Sequence, residues 1–125
     1  MLMDYERIKA EFLRMVGLSA DKFRERALIE RGTEEIVSRL KKAVSEMSEE
    51  EVRLCEYGAA ACAAFTYESE KCMRAVPVMS ENGTVNMREG SFEAAKAAFE
   101  AKRQAVGVLC RRGLLDSGDF FFTAV

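Results

Sequence analysis

Tyr57-Gly58-Ala59-Ala60-Ala61-Cys62-Ala63-Ala64-Phe65-Thr66-Tyr67 is the stretch that decides how this chain folds. It contains no charged residue, so a helix built from it has no face that prefers water. A helix that is apolar all round is the buried centre of a bundle. Its small side chains let neighbouring backbones approach closely. The run is too short to cross a bilayer, which takes about 20 apolar residues. Upstream, Ser48 is followed three residues later by Glu51, a capping-box pattern that places the start of this helix. Downstream, charge returns at Glu68-Ser69-Glu70-Lys71, with Glu70 and Arg74 spaced for an exposed pair. The only proline, Pro77, sets the end, because the residue before a proline is pushed out of helical geometry.

Towards the amino terminus, Tyr5, Ile8, Phe12 and Met15 follow the spacing of one helical face. This predicts a helix over residues 2–16, ended by Gly17. Ser19 is a suitable N-cap for the next helix, with Asp21 in its first turn. Phe23, Ala27, Ile36, Val37, Leu40 and Val44 run along that helix to about residue 45. Gly32 lies near its middle, where glycine costs about 1 kcal/mol relative to alanine, so a kink or a division into two shorter helices is expected. Glu35 and Arg39 are spaced to pair on its solvated face.

Residues 76–87 differ in kind. Val76-Pro77-Val78-Met79 and Thr84-Val85-Asn86-Met87 flank Asn82-Gly83, a strong hairpin signal. Pro77 confines the first arm to an edge. A lone two-stranded hairpin is marginal in water, so this one must lean on helices, add a third strand or pair with another chain. Gly90-Ser91 then opens the last helix, with Ser91 as N-cap and Glu93 in the first turn. Its apolar stripe is Phe92, Ala95, Phe99, Val106 and Leu109, and Arg111-Arg112-Gly113 suits its end. A turn at Asp116-Ser117-Gly118-Asp119 delivers Phe120-Phe121-Phe122-Thr123-Ala124-Val125. Burying each Phe contributes roughly 1.5–3 kcal/mol, so this tail lies either on its own domain as a short edge strand or on a neighbouring subunit. The fold expected is mainly α: a single domain over residues 1–125, a four- to five-helix bundle with a β-hairpin inserted before the last long helix and a short strand-like carboxy-terminal tail. Val76, Val78, Met79, Val85, Met87, Phe120, Phe121, Phe122 and Val125 are the candidate assembly contacts.

The totals exclude several classes of function. A chain of 125 residues, 49% hydrophobic and 32% charged, is one ordinary globular domain. A net charge of −2 leaves no basic excess to hold a phosphate backbone, so no specific nucleic-acid partner is expected. The opening Met1-Leu2-Met3-Asp4-Tyr5 lacks the basic start and apolar stretch of a signal peptide, which makes the cytoplasm the expected location. There is no histidine, the commonest general base and metal ligand. Cys55, Cys62, Cys72 and Cys110 lack zinc-site spacing; Cys55 and Cys62 share one helical face as small buried hydrophobes. The carboxylates Glu34-Glu35, Glu49-Glu50-Glu51 and Glu68 with Glu70 fall at helix starts or on polar faces. Gly83, Gly90 and Gly107 lack phosphate-loop spacing. No catalytic residue, metal, cofactor or small-molecule substrate is expected.

The order of parts resembles the small head–tail connector (adaptor) proteins of tailed phages and related prophage proteins of Firmicutes. The resemblance rests on the Ala-rich central helix 57–67, the segment Thr84-Val85-Asn86-Met87, the helix opening Gly90-Ser91-Phe92 and the Phe120-Phe121-Phe122 ending, and it covers the chain from about Ser48 onward. It implies a non-enzymatic subunit of a ring that docks on the portal, self-associating and contacting portal and tail proteins, in the host cytoplasm and then in the virion. The alternative is a small cytosolic helical protein-binding or regulatory module.

Overall fold

The structure, a computed structural model, describes residues 3–20, 23, 26–74 and 83–116, with the backbone alone at 74 and 83–91. These residues form four α-helices, α1 (Tyr5–Val16), α2 (Arg26–Val37), α3 (Glu49–Arg74) and α4 (Gly83–Arg111), with a 3-10 turn at Val44–Glu46. No strand occurs among the described residues, only an isolated antiparallel bridge between Leu40 and Leu115. The mainly helical class read from the sequence is the one observed.

α3 is the axis of the bundle. Ala59, Ala60, Ala61 and Cys62 are fully buried, and Ala63 and Ala64 nearly so. All three other helices pack on it. α1 runs in the same sense, since Arg7 meets Glu56 and Phe12 meets Tyr67. α2 and α4 run opposite: Gly32 lies against Ala59 and Ala63, Ile36 and Leu109 lie against Gly58, and Phe65 packs on Phe99. Phe12 fills the largest buried position, its ring edge-on to both Phe23 and Tyr67 at 5.7 Å.

The caps explain where the helices start and stop. Asp4 accepts from the N–H groups of Glu6 and Arg7 at 2.8 and 3.3 Å, which satisfies donors that α1 leaves open. Gly17 follows in the left-handed conformation, φ 68°. At α3 the capping box is reciprocal: Ser48 N–H donates to Glu51 Oε1 at 2.9 Å and Glu51 N–H to Ser48 Oγ at 3.2 Å. α4 closes in a Schellman motif, with Leu114 N–H on Leu109 O, Gly113 N–H on Cys110 O and Gly113 at φ 73°.

The capping box yields a prediction with a pH signature. Ser48→Ala should cost about 1 kcal/mol, read by chemical denaturation. The Ser48 backbone N–H, helped by Lys42, holds the Glu51 carboxyl below its ordinary value of 4.5. A depressed acid contributes stability that is present above about pH 4.5 and fades as pH falls through the lower folded value. Glu51→Gln should therefore flatten the acid limb of the stability curve below that pH. An acid limb identical to wild type would refute the assignment.

Four sequence expectations change. The second helix does not run from Ser19 to residue 45. α2 ends at Val37, and the chain turns so that Lys41 N–H donates to Leu114 O at 2.9 Å and Asp116 N–H to Arg39 O at 3.3 Å. Leu40, read as part of a helical stripe, is instead carried into this pairing with the exit of α4. Gly32 does not divide α2, which continues through it; its missing side chain is what admits α3. Third, residues 83–87 are helical, so Thr84-Val85-Asn86-Met87 opens α4 where the second arm of a hairpin was expected. A helix satisfies its own backbone groups turn by turn, whereas a single arm has no sheet among the described residues to pair with. The helix passes through Gly90 and Ser91, so Ser91 is not its cap. Residues 76–82, the first arm and Asn82, lie outside the described residues, as do 117–125.

Candidate interaction surface

Of the candidate assembly contacts, Val76, Val78, Met79, Phe120, Phe121, Phe122 and Val125 lie outside the described residues. Val85 and Met87 have a helical backbone in the opening turns of α4. The described residues bracketing residues 75–91 are more telling. Met73, in the last turn of α3, is 71% exposed, and Phe92 of α4 is 58% exposed. Because α3 and α4 are antiparallel, both lie at the same end of the bundle. Single exposed hydrophobes are ordinary, and Val37 and Tyr57 are exposed as well, at 45% and 39%.

Three of the thiols are chemically quiet. Burial pushes Cys55 up to about 11 and Cys62 up to about 12, and it raises Cys110 as well. A thiolate is the reactive form, so these groups stay protonated at neutral pH. Cys62 sits beside a buried cation: Lys102 is 6% exposed, pairs with Glu35 at 2.8 Å and lies 5.0 Å from the centre of the Phe65 ring. This cluster ties α2 to α4 across α3. No group of three His, Cys, Asp or Glu among the described residues could hold a metal ion, and none of their helices is long and apolar enough to cross a membrane.

Two carboxylates escaped the sequence reading. Glu56 is 2% exposed and accepts from Asp4 N–H at 2.7 Å and from Arg7 Nε and Nη2 at 2.8 and 2.9 Å. Glu68, read as lying on a polar face, is 9% exposed and lines a groove with Val16 of α1 and Ala98 of α4. Its neighbour Glu70 reaches Arg31 of α2 at 3.9 Å; the Arg74 side chain, the same-helix partner expected, lies outside the described side chains. The signal was available. Val52, Glu56, Ala60, Ala64 and Glu68 recur every fourth residue, so both acids are in phase with a row whose other members are buried. Compared with known proteins, the chain matches no family model, no curated protein and no solved structure.

Proposed function

We propose that this chain is a structural adaptor subunit of the head–tail connector kind, one that docks on a portal ring and joins capsid to tail without catalysis. The observation that carries the reading is the exposed pair Met73 and Phe92 at one end of the bundle, bracketing the apolar residues Val76, Val78, Met79, Val85 and Met87 along the chain. A ring is a closed heterologous assembly in which one patch meets a different patch on the next copy. An apolar end on a helical body supplies the first patch, and Phe120-Phe121-Phe122 supplies a candidate for the second. Weak net acidity suits a channel part, past which DNA must slide without sticking.

The test is the mass of the assembled species, by analytical ultracentrifugation or native mass spectrometry, alone and with the portal ring encoded in the same genome. The wild type should join the ring. Met73→Ser with Phe92→Ser should abolish joining and leave the melting temperature within a few degrees, because both side chains are exposed already. Removing residues 120–125 should do the same while helicity is retained. A wild-type chain that joins neither itself nor the portal, or a double variant that assembles normally, overturns the reading.

A further inference from the structure

A second surface adjoins that apolar end and is carried by a different observation. The closing turn of α1, the second half of α3 and the middle of α4 enclose a groove of about 260 Å³ lined by Val16, Ala64, Ala94, Ala97, Ala98 and Ala101, with Glu68 as its acid. Glu68 Oε1 is buried and meets no donor among the described residues. Carboxylate oxygens taken out of water are normally matched by donors. Among the described residues, the Lys71 ammonium lies 6.0 Å from the centre of the Tyr67 ring, and Lys102 is held by Glu35. The groove therefore has an apolar floor and an acceptor that no described residue serves.

Size and charge select the occupant. Sites for cofactors and drug-sized ligands run to roughly 300–1,000 Å³, so about 260 Å³ accommodates a side chain or two and little more. Anions are repelled by Glu68. A metal ion needs further ligands, and the described residues offer no such cluster. What remains is a compact cation on an apolar stem, the chemistry of lysine or arginine, which bury their methylenes against apolar surface while the charge seeks an acceptor. We propose that this groove is a docking seat for a segment of a partner protein that inserts one lysine or arginine among apolar side chains, its cation donating to Glu68 Oε1. The adaptor reading and this one stand or fall separately.

The test uses n-butylammonium as a stand-in for the lysine side chain and the full chain labelled with ¹³C at its alanine methyls. Butylammonium should shift the methyl signals of Ala64, Ala94, Ala97, Ala98 and Ala101 saturably. Butanol and butanoate should do so at least tenfold more weakly. Glu68→Gln should weaken butylammonium binding at least tenfold and leave the remaining alanine signals in place. Ala98→Leu, which fills the groove and keeps the acid, should abolish it, and this variant decides the matter if Glu68→Gln does not fold. Absent shifts, equal response to butanol, or binding undiminished in the folded variants would overturn the proposal.

Discussion

Gly32→Ala is expected to lower stability by about 3 kcal/mol, at the upper end of what overpacking costs, and the melting temperature by roughly 12 °C at about 4 °C per kcal/mol. Two effects oppose each other at this position. Helix propensity favours alanine over glycine by about 1 kcal/mol, so an account of α2 by itself predicts stabilisation. Packing says the reverse: a Cβ at residue 32 would stand 2.5 Å from Ala59 O, 3.0 Å from Ala63 N and 3.1 Å from Ala63 Cβ. Two of those atoms are α3 backbone, which cannot rotate away, so relief requires α2 to lift off a core in which Ile29 and Ile36 are fully buried. Gly107→Ala is the matched control. The nearest atom there is Arg111 Nη1 at 3.4 Å, the far end of a flexible side chain, so that variant should gain about 0.5–1 kcal/mol. Thermal and urea denaturation of both variants checks the pair. Stabilisation at both sites would mean that α2 and α3 do not approach this closely.

Glu56→Ala should cost about 2–3 kcal/mol and loosen α1 selectively. Glu56 accepts three donors from α1 and its cap, and a hydrogen bond to a charged group contributes about 1.5–3 kcal/mol net. The loss stays below the roughly 3–5 kcal/mol of a fully buried broken pair, because the Arg7 side chain is 41% exposed and water takes over its donors. Asp4 N–H has no such recourse to its former partner, and it sits where α1 begins. The Glu56 hydrogen bond also holds the Arg7 guanidinium above its ordinary range, so that cation keeps its charge near neutral pH. Native-state hydrogen exchange checks the prediction. Amides of α1 should lose protection in the variant while those of α3 fall only by the global change. Equal loss in both helices would show that Glu56 does not tether α1 in particular.

Periodicity and caps made much of this architecture readable in the sequence. Ile8 and Phe12 face inward on α1 as their spacing required, and Ser48 with Glu51 caps α3 reciprocally. Gly113 ends α4 in the left-handed conformation. These signals are local, since each involves residues within one or two turns. The failures share one cause, which is that the deciding partner is far away in the chain. Leu40 fits a helical stripe by spacing, yet its backbone neighbourhood is shared with Leu115. Thr84-Val85-Asn86-Met87 has strand-like composition, yet β-propensity expresses itself only against a neighbouring strand, and the helix prevailed. The candidate assembly contacts were legible as apolar segments, but Met73 and Phe92, which mark that end of the bundle, were not. Exposure depends on where α3 and α4 end relative to each other.

By itself, the sequence determined that the small residues 58–64 would be the buried axis, because a helix without charge on any face has nowhere else to go; Tyr57 at one end of that run is 39% exposed. It also determined the helix caps, because their donors and acceptors lie within three residues of one another. Only the tertiary structure decided that Gly32 is a contact and not a flaw, that Glu56 is a tether, and that Glu68 sits in an apolar groove. Each of those roles depends on the distance between two helices, and hydrophobic periodicity specifies which face is buried but not what the neighbouring helix places opposite it.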